Sequence, residues 1–132
     1  MAVKANHDIS SGLDTAFINS VINSNLAYRP EFVSNDYTQG KKVSVAIERE
    51  LRHCDAFYIS VAFITEGGLA PLKQVLAELR DKGIPGKILT TSYLTFTEPK
   101  ALKTLANLSN VEVRVYDSTD EGASGFHTKG YI

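Results

Sequence analysis

The sequence is poor in cysteine, with Cys54 as the only one among 132 residues. A single thiol excludes an intrachain disulfide and a zinc site built from several thiolates. No run of about 18 consecutive apolar residues occurs, and residues 1–8 lack the apolar stretch of a secretory signal. We therefore expect a cytoplasmic protein that contacts no membrane.

The sequence also lacks an excess of charge of either sign, because its net charge is -1 at pH 7. A domain that binds nucleic acid through its overall charge is normally clearly basic. Lysines and arginines are spread along the chain, and only Lys41 and Lys42 are adjacent. Any contact with a polyanion must therefore come from a local basic patch.

What the sequence does contain is the composition of an ordinary globular domain, with 43% hydrophobic and 22% charged residues. A chain of this length is sufficient for one compact domain. Residues 1–12 are polar and end in Ser10, Ser11 and Gly12, which indicates a flexible N-terminal tail. We expect a single domain over residues 13–132.

The spacing of apolar residues predicts alternating helices and strands. Apolar residues three and four positions apart indicate amphipathic helices beginning at Leu13 and around Val43. Residues 56–64 are apolar on both faces, which is typical of a strand buried on both sides by helices. The remaining predicted elements are a helix opened by Gly67 and Gly68 and closed at Gly83, a strand at 86–91, a helix at 99–108, and strands at 111–116 and 126–132. This order predicts an α/β fold with a mainly parallel sheet flanked by helices.

Ligands of open α/β sheets collect beyond the carboxyl ends of the strands, where loops and helix N-termini present free N–H groups. The candidate substrate-binding residues are Ser60, Gly67, Gly68, Ser92 and Tyr93, with Glu66 as a more speculative one. The Gly67-Gly68 pair fits either an anion site or a simple tight turn. Ser60 either permits close helix packing or lines a phosphate site.

The strongest candidate for chemistry is the segment 126–132, Phe-His-Thr-Lys-Gly-Tyr-Ile. Alternation along a strand places His127, Lys129 and Tyr131 on one face. Because two residues of strand cover roughly 6.6 Å, one phosphoryl group could contact both side chains. Nε2 of His127 would act as nucleophile and Lys129 would neutralise a nonbridging oxygen, with no metal or other cofactor. The alternative is a solvent-facing histidine beside an unrelated lysine, which composition alone produces about one time in five.

Three blocks of sequence in the same order give this pair its context: residues 59–69, 87–94 and 126–132. Together they resemble the phospholipase D-like (HKD-type) domain found at the N-terminus of certain bacterial superfamily II (DEAD/DEAH-type) helicases. In that family the motif is His-x-Lys, four residues, then Asp, and two copies of it meet across a twofold axis. By this resemblance, His127 matches the histidine that forms a phosphohistidine or acts as general acid. Lys129 matches the phosphate-binding lysine.

The resemblance implies a phosphodiesterase, or nuclease, domain of an ATP-binding, helicase-type DNA-processing protein. The motif aspartate would fall two residues beyond Ile132, and the family's Gly-Ser and Asn elements are absent. We therefore expect a C-terminally truncated domain that is inactive alone. Its second motif would come from the rest of the parent chain or from a homodimer partner. The alternative function is a non-catalytic module that keeps the phosphate pocket and docks on DNA or another partner.

Overall fold

The computed structural model describes residues 33–117 and 126–132. The expected N-terminal tail, the helix beginning at Leu13 and most of the loop before Phe126 lie outside the described residues. The chain divides into two compact units, Met1–Val43 and Ser44–Ile132.

In the first unit, a tight turn is built around Asp36, which pairs with Lys41 through two backbone hydrogen bonds. The Asp36 carboxylate accepts hydrogen bonds from the Thr38 hydroxyl at 2.6 Å and from the backbone N–H groups of Thr38 and Gln39 at 3.0 and 3.1 Å. The hydrogen bond from the Thr38 hydroxyl is the largest cause that lowers the pKa of Asp36, and the two backbone N–H groups lower it further. The carboxylate therefore stabilises the turn locally.

Helices and strands alternate from Val43 onward, which confirms the α/β class. The elements are α1 (Val43–Leu51), β1 (Phe57–Val61), α2 (Glu66–Leu69), a 3-10 turn (Ala70–Leu72), α3 (Lys73–Asp81), β2 (Gly86–Thr91), a second 3-10 turn (Tyr93–Thr95), α4 (Pro99–Ala106), β3 (Val111–Tyr116) and β4 (Lys129–Tyr131). Gly83, with a φ of +69°, follows α3 as predicted, because this backbone conformation is easy only for glycine. In the described ranges, no helix has the length and apolar character needed to cross a bilayer.

The predicted helix after Gly67 is divided into α2, a 3-10 turn and α3. Pro71 lies in the 3-10 turn, where its missing N–H group interrupts the helical hydrogen bonding. The last strand is also shorter than predicted, because it spans Lys129–Tyr131 of the segment 126–132.

The four strands form one mixed sheet in the order β3-β2-β1-β4. Strands β1, β2 and β3 are parallel, while β4 runs antiparallel to β1 with Lys129 opposite Val61. The expectation of a mainly parallel sheet therefore applies to the first three strands, and the fourth departs from it. Because β4 is antiparallel to its neighbour, no helix is needed to connect it to the strand before it. The sequence before Phe126 indeed lacks the apolar spacing of a helix.

The apolar core lies on one face of the sheet, toward which Phe57, Ile59 and Val61 of β1 alternate. Its buried members are Leu51, Phe57, Ile59, Val61, Leu69, Leu72, Val75, Leu76, Leu79, Ile88, Ala101 and Leu105. Helices α3 and α4 both contribute to this cluster, so they cover the same face. Strands β1, β2 and β3 lie side by side in chain order. Right-handed connections between them therefore all pass over the same face of the sheet.

The expectation that β1 is buried on both faces is wrong. On the second face, Tyr58 is 49% exposed and Leu89 of β2 is 39% exposed. Tyr58 and Ser60 line a shallow depression on this face together with Lys87 and Ile132. The hydroxyl of Tyr58 favours a position in contact with water, which an apolar side chain at the same place in the strand would not.

Candidate active site

His127 and Lys129 lie at the carboxyl end of β1. Lys129 begins β4 opposite Val61, and the N–H of Ala62 donates to the carbonyl of Thr128 at 3.1 Å, which extends the pairing toward His127. Nζ of Lys129 is 2.9 Å from Nε2 of His127. The two side chains therefore point the same way and are in direct contact, and both residues are exposed.

The contact with Lys129 is made by the Nε2 atom of the His127 imidazole. An ammonium group has only donors, so the tautomer of a neutral His127 ring that matches this contact has its proton on Nδ1 and accepts at Nε2. Nε2 therefore carries the lone pair that a nucleophile needs. An anionic oxygen is a better acceptor for Lys129, and its arrival would free this lone pair. Among the described residues, no group of three or more His, Cys, Asp or Glu side chains is placed to hold a metal ion.

Tyr131 continues the same face, opposite Ile59 of β1. It lines an apolar hollow with Ile59, Val61 and Phe63. Burial raises the pKa of the Tyr131 hydroxyl. The phenol is therefore a neutral hydrogen-bond donor at neutral pH.

Three aromatic residues, Phe63, Tyr93 and Phe96, form an aromatic cluster beside the pair. The Phe63 ring centroid is 6.3 Å from that of His127, and the Phe63 and Phe96 rings meet edge to face at 5.8 Å. Tyr93 adds a second edge-to-face contact with Phe96 at 6.4 Å. Nζ of Lys129 lies 5.7 Å from the centroid of Phe63, a distance at which a cation and an aromatic face attract each other.

Sequence reasoning missed most of this cluster. Phe63 belongs to residues 56–64, which were expected to form a buried strand, but it is 37% exposed because it lies beyond the end of β1, where strand alternation no longer directs its side chain inward. Phe96 was not predicted as a site residue. The available signal was its position between two polar residues, Thr95 and Thr97. Of the substrate-binding candidates, Tyr93 reaches the pair through the contacts of this cluster.

Buried threonines hold the loop that carries Tyr93 and Phe96. The Thr91 hydroxyl donates to the Ala62 carbonyl at 2.9 Å and accepts from the N–H of Tyr93 at 3.0 Å. The Thr97 hydroxyl donates to the Thr91 carbonyl at 2.8 Å. Both threonines are buried. The loop after β2 is thereby attached to the end of β1, where the His127–Lys129 pair lies.

The Gly67-Gly68 pair lies in α2, in which the N–H groups of Glu66 and Gly68 are bonded within the chain. The N–H of Glu66 donates to Oε2 of Glu98 at 2.8 Å, and the N–H of Gly68 donates to Oγ1 of Thr65 at 3.0 Å. A carboxylate therefore already lies at the start of this four-residue helix. An external anion would have to displace it.

Ser60 and Ser92 both form hydrogen bonds with residues other than His127 and Lys129. Ser60 lies on the opposite face of the sheet, with its hydroxyl 3.1 Å from that of Thr128. The Ser92 hydroxyl donates to Oδ1 of Asp117 at 2.8 Å, and its N–H donates to the Tyr116 carbonyl. Ser92 thus connects the ends of β2 and β3.

Glu66 links three helices. Its carboxylate accepts from Nζ of Lys73 and from the Thr104 hydroxyl, both at 3.1 Å, and lies 3.9 Å from Nζ of Lys100. The hydrogen bond from Lys73 is the main cause that lowers the pKa of Glu66 below 4.5, with Thr104 and the two lysine charges adding to it. Glu66 therefore stabilises the packing of α2 against α3 and α4.

We expect Glu66→Gln to lower the free energy of unfolding at pH 7, and this loss to shrink as the pH falls below 4.5. A carboxylate whose pKa is lowered by folding stabilises the native state above its unfolded pKa and loses that effect as it is protonated. Urea unfolding of both proteins between pH 7 and pH 3 measures the difference. Glu50→Gln, at an exposed carboxylate beside Arg49, is the control. A Glu66→Gln deficit that is equally large at both ends of the pH range would contradict the assignment.

No protein-family model matches the chain, and no curated protein matches it.

Proposed function

We propose that the His127–Lys129 pair binds a phosphodiester of nucleic acid, DNA in the first place, and cleaves it through a phosphohistidine. On this proposal the chain is the phospholipase D-like part of a cytoplasmic, helicase-type DNA-processing protein. The observation that carries the proposal is the 2.9 Å contact between Nζ of Lys129 and Nε2 of His127 on one exposed face. The resemblance of the three sequence blocks supplies the family context.

In the proposed reaction, Nε2 of His127 attacks phosphorus and a P–N bond forms as the bond from phosphorus to the leaving oxygen breaks. Lys129 donates to a nonbridging oxygen, whose negative charge it balances. Water then attacks phosphorus, which breaks the P–N bond and returns the electron pair to Nε2. A second histidine protonates the leaving oxygen of a nucleotide and then takes a proton from the attacking water. By the family resemblance it belongs to a second motif, supplied by further sequence or by a second copy.

One observation favours the docking alternative. In the described part of the chain, neither His127 nor Lys129 contacts a carboxylate, although nucleophilic and basic histidines are commonly oriented by one. A pair without an orienting acid can still bind phosphate. The alternative therefore keeps Lys129 as the phosphate ligand and removes the attack by His127.

We expect Lys129→Ala to weaken binding of a fluorescently labelled single-stranded DNA about tenfold or more, since it removes a charge-assisted hydrogen bond. Lys129→Arg keeps the charge and should retain most of the affinity. The slope of log affinity against log salt should fall by about one in Lys129→Ala. Fluorescence anisotropy at several salt concentrations measures both quantities.

The matched control is Lys87→Ala, because Lys87 is exposed on the opposite face of the sheet. Equal, small losses in Lys129→Ala and Lys87→Ala would contradict a phosphate site at the pair. Binding that depends on Lys129, combined with DNA that stays intact in the presence of the complete parent protein, would favour the docking alternative.

A further inference from the structure

The three rings of the aromatic cluster are all exposed. The exposed fractions are 37% for Phe63, 42% for Tyr93 and 51% for Phe96. Leu94, between the last two, is 60% exposed. Single exposed apolar residues are common on proteins, but apolar side chains grouped around polar functional groups indicate a binding surface.

The loop that carries the cluster has a backbone that its residues do not favour. Leu94 and Thr95 have φ angles of 47° and 55°, in the left-handed region that side chains with a Cβ rarely adopt. A β-branched residue such as Thr95 is especially disfavoured there. Strain of this kind is retained where the surrounding structure fixes it, and it is frequent at functional sites. Here the buried Thr91 and Thr97 hydroxyls fix both ends of the loop.

The cluster and the phosphate-binding pair are contiguous. Nζ of Lys129 lies 5.7 Å from the Phe63 centroid, and Phe96 lies 5.8 Å beyond Phe63. In a nucleotide, one sugar joins the phosphate to its base, so a phosphate held by Lys129 brings the adjoining base to these rings. Aromatic side chains stack on the faces of bases. Those faces are covered by neighbouring bases in an intact duplex.

We infer that the aromatic cluster is a stacking platform for the bases of an unpaired strand, so that the site takes single-stranded or frayed nucleic acid in preference to intact duplex. This inference rests on the proposed function, because it uses Lys129 as the ligand of the phosphate. The cation of Lys129 at the edge of the cluster favours an anionic occupant. A purely apolar protein segment would leave that charge without a counterion.

The test compares the wild-type chain with variants of Phe96, the most exposed ring of the cluster. The probe is a single strand of about 12 nucleotides, within the site sizes known for single-strand binding, with 2-aminopurine at one position. Its fluorescence falls when the base stacks, and the chain contains no tryptophan to interfere. The same strand annealed to its complement is the duplex probe.

We expect the single strand to bind at least about tenfold more tightly than the duplex and to be quenched on binding. Phe96→Leu, which stays apolar but loses the aromatic face, should weaken single-strand binding between about 5-fold and 150-fold and abolish the quenching. Phe96→Tyr keeps the aromatic face and should retain both. Tyr58→Leu, an exposed ring on the other face of the sheet, should behave as the wild type.

Equal affinity for the two probes, or unchanged binding by Phe96→Leu, overturns the platform. If Lys129→Ala still weakens binding in that case, the phosphate site stands and only the platform fails. If neither substitution alters binding, the proposed function fails as well. A wild-type dimer that Phe96→Leu converts to a monomer, measured by light scattering without DNA, would show instead that a second copy covers the cluster, and this too overturns the platform.

Discussion

Replacing Gly86 by alanine is expected to lower the free energy of unfolding by about 2 to 3 kcal/mol. Gly86 begins β2 directly beside Phe57, the first residue of β1, whose ring is 1% exposed. A Cβ at Gly86 would overlap three carbons of that ring. Neither partner can move easily, because the ring is enclosed in the core and the glycine backbone is paired on both sides, with Phe57 and with Val111.

Two comparisons make this prediction specific. In a Phe57→Leu background, the ring is absent, so Gly86→Ala should cost less than about 1 kcal/mol, and the double-mutant cycle should show strong coupling. Gly130→Ala, at a strand glycine whose Cβ would meet nothing within 4 Å, should cost less than about 0.5 kcal/mol. Urea unfolding of the wild type, the two single variants, the double variant and the Gly130→Ala control measures these free energies. If the losses of unfolding free energy in Gly86→Ala and Phe57→Leu simply add in the double variant, the ring and the glycine are not coupled and the prediction is contradicted.

The second large effect concerns His127. We expect His127→Ala to reduce cleavage of bis-p-nitrophenyl phosphate about 1,000-fold or more, since removal of a nucleophile has effects of at least this size. This diester is suitable because nitrophenolate leaves as an anion and needs no protonation. Formation of the phosphohistidine from this diester therefore does not depend on a second histidine from another motif, whereas cleavage of DNA does.

The controls for that experiment are chosen to separate attack from binding. Lys129→Arg keeps a positive charge beside Nε2 and should retain much of the rate. His53→Ala alters a histidine that bonds the Arg49 carbonyl at 2.7 Å, at the end of α1, and should cleave as the wild type. A rate that is the same in His127→Ala and in the wild type would remove His127 from the chemistry.

The order of the elements could be predicted because it depends on local sequence. Apolar spacing identified β1, α3, β2, α4 and β3, and Gly83 marked the end of α3. The shared direction of His127 and Lys129 was also predictable, since side chains two positions apart in an extended chain lie on one side. These features are determined by neighbouring residues and need no information from the rest of the molecule.

Features that depend on distant partners could not be predicted. The apolar pattern of a strand carries no information on its direction, so the antiparallel placement of β4 beside β1 was not foreseen. The exposure of Phe63 depends on where β1 ends in the folded sheet. The Thr91 hydroxyl finds its acceptor 29 residues away at Ala62. For the same reason, the close contact of Gly86 with Phe57 leaves no local signal in the sequence.

The most direct test of the central claim is the mass of the protein after it is mixed with bis-p-nitrophenyl phosphate and quenched at alkaline pH. We predict a covalent adduct of one nitrophenyl phosphoryl group, located by peptide mapping on His127, together with a burst of nitrophenolate equal to the adduct. His127→Ala should show neither. Unmodified wild-type protein at times when nitrophenolate is released, or an adduct that persists in His127→Ala, would contradict attack by His127.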